Sequence, residues 1–289
     1  AVKGGQLAKI IYPAKLISLI FSDVPGDDLS TIASGPTVKD ETTVRDASKI
    51  LDKYRILEKL NLPAVKFLET PKEDKYFKNT ENILFVSAKT AMHAMREKGE
   101  DLGFNVKIFS NQSLSSPVPP PRGGRLRGGE SRPGSSVTPP LPSRHLRGGN
   151  RLMEKFDSYF QGEARIVASE IVKANSQHHE CLIGAGESTV VVKGHGNGGR
   201  NQELALAALS SIAENQVLIT LASDGHDNSD SAGAIVDIST ITRAKNLGLD
   251  PHQYLDNNDS FSFFEAVGDS IQTGLTGSNV ADLVICIKS

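Results

Sequence analysis

Apolar positions recur along the chain in two rhythms, one suited to buried strands and one to helices facing a core. The runs KLISLIFSD (15–23) and NILFVSA (82–88) are short, apolar and closed by polar turns, which predicts two buried strands. From Thr43, TTVRDASKILDKY spaces Val44, Ala47, Ile50 and Leu51 on one helical face. KTAMHAMREKGEDLG then reads as a helix with a glycine stop, and NVKIFS as a further strand. Strand, helix and strand with short connections predict a right-handed crossover in a parallel sheet. Beyond about residue 160 the alternation resumes with GEARIVASEIVKANSQ as a helix. ECLIGA and STVVVK read as two strands around Gly184–Glu187, and RNQELALAALSSIAEN as a strongly amphipathic helix. VLITLAS reads as a buried strand, and SAGAIVD, ITRAKNLG, SFSFFEAVGDSI and ADLVICIK continue the alternation to the end. The expected fold class is α/β throughout, and 289 residues favour two domains over one.

One stretch breaks the pattern. Ser113 to Met153 holds eight of the fourteen prolines, seven glycines and RGG triplets starting at Arg122, Arg127 and Arg147. So little apolar surface cannot offset the entropy of ordering, and the segment is expected to be disordered. Its seven arginines and one glutamate give a local +6, so a net charge of −2 leaves the rest of the chain acidic. That balance gives no reason to expect a nucleic-acid or anionic-membrane partner. RNA binding through the RGG triplets is a non-enzymatic alternative, weakened by the lack of interleaved aromatic residues. Cys181 and Cys286 sit in apolar runs and build no disulfide framework, which points to a reducing, cytoplasm-like compartment. His178 and His179 lie near Cys181, but no second Cys/His cluster completes a four-ligand set. No run reaches the roughly 18 apolar residues of a membrane span. The N-terminal segment, interrupted by Lys9, Pro13 and Lys15, does not read as a signal peptide. The initial Ala suggests a processed chain or a fragment.

Candidate chemistry concentrates in GHGNGGRNQE (194–203), between a strand-like and a helix-like run. Backbone N–H groups and the helix dipole favour an anion in that setting. The literal G-x-G-x-x-G leaves a dinucleotide loop or a plain tight turn open, and no P-loop pattern occurs in the chain. Arg200 at the mouth of the helix suits a transferring phosphoryl group, or else pairs with Glu203 or another carboxylate beside the helix. Two acidic loops, SDVPGDD (22–28) and SDGHDNSD (223–230), follow apparent strands, where open α/β sheets place ligands. Their carboxylates can hold Mg²⁺ against phosphates, yet the same residues make turns and cap helices.

SLIFSDVPGDDLSTIASGPTV, GESTVVVKGHGNGGRNQELALAAL, LASDGHDNSDSAGAIVD and TGLTGSNVADLVI, in that order, resemble successive blocks of the class II glycerate kinases with a MOFRL-type C-terminal region. The resemblance covers roughly residues 1–110 and 160–289. It implies a two-domain α/β fold that phosphorylates D-glycerate, giving 2-phosphoglycerate, with ATP and Mg²⁺ as cofactors. It divides the chain into 1–112, the C-terminal part of an incomplete Rossmann-like domain; 113–153, an insertion; 154–176, a returning helix; and 177–289, the MOFRL-type domain. Arg200 would then act in phosphoryl transfer with a lysine of the N-terminal domain. Gly194, Gly196, Gly198, Gly199 and Asn201 would bind phosphate or nucleotide. Glu187, Ser34 and Asp27 would bind substrate or line the cleft, with Asp28 in the same block, and Asp23, Asp224 and Asp227 would hold the metal. The chain departs from the pattern in three ways. It lacks the upstream portion bearing that lysine, which predicts no activity alone; it carries the 113–153 interruption; and DGHDNSDSAGA stands where many members have DGxDGPTDAAGA. An NAD-linked hydroxypyruvate reductase is the competing enzyme class, resting on the glycine pattern alone. Homo-oligomerisation is left open, and no membrane partner is expected.

Overall fold

The computed structural model describes residues 2–63, 67–111, 159–175 and 180–289. The segment 113–153 and the pair His178 and His179 therefore lie outside the described residues. Helix α1 (Gln6–Ile11) leads into β1 (Leu16–Phe21), and α2 (Val44–Tyr54) and the short α3 (Ile56–Lys59) precede β2 (Thr80–Val86). Thr43 and Asp46 close α2 with a reciprocal capping box, which explains why the helix starts where its apolar spacing does. Strands β1 and β2 pair with each other in parallel and form a sheet of their own.

The second sheet holds seven strands. After α4 (Ala88–Asp101) come β3 (Asn105–Ile108), β4 (Phe160–Glu163), α5 (Ala164–Ala174), β5 (Glu180–Thr189), α6 (Arg200–Ala208), β6 (Gln216–Ala222), β7 (Gly233–Val236), α7 (Ile238–Asn246), α8 (Pro251–Asp256), α9 (Ser260–Val267), β8 (Ser270–Ile271) and β9 (Asp282–Lys288). Its order is β3-β5-β9-β6-β7-β8, with β4 also on β5. Strand β9 lies between β5 and β6, antiparallel to both, and sets Asp282 opposite Gly186 and Ala222. Helices α5 and α6 cover one face, burying Val167, Ile171, Leu204, Leu218, Val284 and Phe263 in the main core. On the other face α4 lays Met92 near Ala185 and Gly99 against Val106.

Several expectations need correction. The strand, helix, strand unit does not close in one sheet, because β2 pairs with β1 whereas α4 packs on β3 and β5, whose apolar residues face it. The large sheet is mostly antiparallel, with only β3 and β4 parallel to β5. Strands β1 and β2 are not fully buried: Ile17, Leu19, Phe21 and Phe85 are exposed, since among the described residues nothing covers that face of a two-stranded sheet. ECLIGA and the start of STVVVK form the single strand β5, while Val191 and Val192 lie beyond its end and are exposed. Gly162 and Glu163 belong to β4, so α5 starts at Ala164. Finally, α6 is not amphipathic, being buried at every residue from Asn201 to Ala208 because α5, β6, β7, α8 and α9 surround it.

Candidate functional site

The glycines of GHGNGGRNQE are explained first by what the loop packs against. A Cβ at Gly194 would lie 2.3 Å from the Asn257 carbonyl oxygen, and one at Gly199 would lie 2.2 Å from that of Asp227. Gly196 meets Asn257 and Asp259 as closely, and Gly198 meets Ser260. The loop's amides are spent on the same turn between α8 and α9. Lys193 and Gly194 donate to Asn258 Oδ1 (2.7 and 3.0 Å), His195 to Asn257 Oδ1 (3.1 Å), Gly196 to the Asn257 carbonyl (2.9 Å) and Asn197 to Asp259 Oδ1 (3.1 Å). The amides of Gly198, Gly199 and Arg200 are left without an acceptor among the described residues. Close packing accounts for the glycine pattern without a dinucleotide, so that pattern by itself does not argue for the reductase reading.

Asp227 occupies the N-terminus of α6. Its Oδ1 accepts from the Asn201 amide (3.0 Å) and from Asn201 Nδ2 (3.2 Å), and its Oδ2 from the Gln202 amide (2.8 Å). A carboxylate on two orphan helix donors is a cap supplied from another loop, worth about 1 kcal/mol. Burial pushes the Asp227 carboxyl up to about 6, against the Gln202 and Asn201 donors that pull it down. The next two residues of the helix also hold neighbouring segments. Ser229 Oγ donates to Gln202 Oε1 (3.2 Å), and Glu203 accepts from Arg165 Nε (2.8 Å) and Asn258 Nδ2 (3.0 Å).

Arg200 is gripped by two carboxylates. Its Nε and Nη2 donate to Asp282 Oδ2 and Oδ1 (2.6 and 3.1 Å), and Nη1 donates to Glu187 Oε1 (2.7 Å). Asn201 Nδ2 reaches Asp282 Oδ1 as well (2.9 Å), linking Asp227 to Asp282. Burial raises the Asp282 carboxyl above its ordinary value despite the Arg200 guanidinium beside it. For Arg200 burial opposes the charge, but the bonds and charges of Asp282, Glu187 and Asp227 outweigh it, and its pKa is raised. Of the two readings of Arg200, pairing with carboxylates is what the geometry displays, although Glu203 is not the partner.

A cavity of about 710 Å³ opens over this network. Of the expected site residues, Glu187, Gly196, Gly198, Gly199, Arg200, Asp224 and Asp227 line it, together with Asp282 and Asn279. Gly194 and Asn201 lie behind the lining, and Asp23 reaches it through Asn279 Nδ2 (3.3 Å). Asp27 is buried beside Tyr159 (3.4 Å) and Lys89 (3.6 Å), and its neighbour Pro25 lines a second cavity of about 340 Å³ that shares Glu187 and Thr189 with the first. Asp28 accepts from Ser30 and Thr31 and caps its own turn. Ser34 is exposed outside both cavities, where its carbonyl accepts from Gly4. The three carboxylates expected to hold a metal do not converge. Among the described residues no group of three His, Cys, Asp or Glu is placed to hold an ion, and both Asp227 oxygens are filled by N–H donors.

Asp282, Asn257, Asn258 and Asp259 escaped the sequence reading. Asp282 opens the central strand and looks like a turn residue before an apolar run, and the other three look like an ordinary helix-breaking turn. For Asn257 and Asp259 the signal is the distant glycine run, whose side chains they would exclude.

Residues 180–282 match the MOFRL family, and residues 1–69 match a domain of unknown function, DUF4147. The chain is 34% identical to the D-glycerate 2-kinase of Thermotoga maritima over 98% of its own length and 59% of the relative's. It is 31% identical to a glycerate kinase of Macaca fascicularis over 97% of its own length and 74% of the relative's. A crystal structure of the Thermotoga maritima glycerate kinase superposes with a TM-score of 0.76 at 32% identity, covering all of this chain and 60% of that one. The chain thus spans about 60% of the length of the first curated relatives it matches. The family match, the relatives and the shared fold show that the chain belongs to the glycerate kinase family that carries the MOFRL region.

Proposed function

We propose that this chain supplies one wall of the site at which D-glycerate is phosphorylated by ATP, giving 2-phosphoglycerate. The supporting observation is Arg200, fixed by two carboxylates at the edge of a cavity beside the acceptor-free amides of Gly198, Gly199 and its own. Phosphoryl transfer demands positioning and neutralisation of charge on the transferring oxygens, and a guanidinium with backbone donors answers both needs. In the reaction a glycerate hydroxyl oxygen bonds to the γ-phosphorus as the bond from the γ-phosphorus to the ADP oxygen breaks, and the hydroxyl proton passes to solvent. Arg200 and the three amides would stabilise the charge on the transferring group.

The wall is itself acidic, with Glu187, Glu203, Asp224, Asp227 and Asp282 around one arginine. A triphosphate therefore needs more positive charge than these residues provide, which is the part that the lysine expected from the family resemblance would play. Among the described residues, Asp23, Asp224 and Asp227 do not come together as a magnesium site.

The test is an ADP-release assay with D-glycerate and ATP on this chain joined to the part of the Thermotoga maritima kinase that it does not match. Arg200→Ala is expected to lower kcat/KM by about a hundredfold or more. A loss of only a few-fold would remove Arg200 from the reaction.

A further inference from the structure

Arg200 is held from two sides that differ in kind. On the inner side Asp282, 1% exposed and anchored at the head of the central strand, takes two guanidinium nitrogens. On the outer side Glu187, its side chain 48% exposed, takes Nη1 alone and has no other partner among the described residues. A half-exposed pair joined by a single bond is weak and readily exchanged, whereas a buried carboxylate in a two-point grip is not. Both Nη atoms keep a second N–H, so an arriving anion finds donors at the place where Glu187 now sits. Glu203 and Asp227, which share the wall, are committed to Arg165, Asn258 and the α6 amides and cannot take the same part.

We propose that Glu187 is an exchangeable counter-ion of Arg200: an anionic oxygen of the ligand takes over Nη1, Glu187 turns out to solvent, and Asp282 keeps the guanidinium plane in place. The identification of that ligand as a phosphoryl group rests on the function proposed above. The exchange itself requires only an anion. It has a selective consequence, because an anion too weakly charged to outcompete a carboxylate leaves Arg200 closed.

Calorimetric titration of the full chain with inorganic phosphate at low ionic strength tests this. Glu187→Gln is expected to bind phosphate about fivefold tighter than the unaltered chain, the range of an exposed ion pair. Asp224→Asn, on the same wall but without contact to Arg200, removes an equal charge and is expected to change affinity less than about twofold, since its effect is only screened repulsion. Unchanged or weaker binding by Glu187→Gln, equal gains in both variants, or no phosphate binding in any of the three would overturn the proposal. Glycerate turnover does not enter the titration. Tighter phosphate binding by Glu187→Gln without kinase activity in the joined enzyme would remove the kinase reading alone, and turnover with unaltered phosphate affinity would remove the counter-ion alone.

Discussion

Asp227 keeps its charge in a place that resists it, and pH should reveal the cost. With its carboxyl pushed up to about 6 by burial, the folded chain holds this proton more tightly than the unfolded chain, whose Asp titrates near 3.8. Between those values the native state binds more protons, so the stability contributed by Asp227 falls as pH rises through the window and is level above about pH 7. Urea denaturation of the unaltered chain and of Asp227→Asn should show their difference in unfolding free energy shrinking from about pH 4 to pH 6, by at most about 3 kcal/mol. A difference that grows over that interval would contradict the burial argument. The sequence marked Asp227 as one carboxylate of an acidic loop following a strand, and it stands in the loop after β6. Its task was illegible because the first amide it caps, that of Asn201, lies 26 residues earlier in the chain, and caps are read from neighbouring residues. Arg200 was legible as a charge at a helix mouth, but its grip was not, since Asp282 lies 82 residues away.

At the scale of elements, α6 is the axle of the C-terminal sheet and its loops. Its first turn ties down the β6–β7 loop through Asp227, the α8–α9 turn through Asn258, and the start of β9 through Arg200 and Asn201. Its remaining turns fill the core, with Leu204 fully buried. Leu204→Ala is expected to cost about 2–5 kcal/mol, read as a lowered denaturation midpoint with an unaltered slope. A cost below about 1 kcal/mol would mean that the helix is not enclosed as described. Helices and strands were legible one by one, because apolar spacing reports a local rhythm. Partnership was not: nothing in the apolar run of β2 says that it joins β1, nor that α4 turns its back on that pair. The enclosure of α6 was hidden by Asn201, Gln202 and Glu203, polar residues that look solvent-facing and are instead buried with partners.

For the whole molecule, the most instructive junction lies where Asn111, after β3, meets Tyr159 and Gln161 at the start of β4. Strands β3 and β4 lie end to end along one edge of β5, pairing with Glu180–Ile183 and Gly186–Thr189. The seam between them is stitched: Asn111 Nδ2 donates to the Gln161 carbonyl (2.9 Å), the Gln161 amide to Asn111 Oδ1 (2.9 Å), and Ser110 Oγ to the Tyr159 carbonyl (3.1 Å). Because the flanks already meet, replacing residues 112–158 by a linker of about four residues should leave the fold intact. Loop-closure entropy predicts a gain of up to about 2 kcal/mol, checked by chemical denaturation. Loss of cooperative unfolding would show that the removed residues hold the sheet together. The composition marked residues 113–153 as foreign to the pattern, whereas the closeness of Asn111 to Tyr159 and Gln161 is a property of the sheet alone.

The place of β9 also carries a consequence for how the molecule comes into being. The strand that joins β5 to β6 is made some sixty residues after β6, with four helices and strands intervening before β8 closes its edge. Until β9 is made, the edges of β5 and β6 that it joins have no partner, and the carboxylate that orients Arg200 arrives only with that strand. The site and the sheet are completed in the same event, so a ribosome-bound chain stalled before Asp282 should have neither.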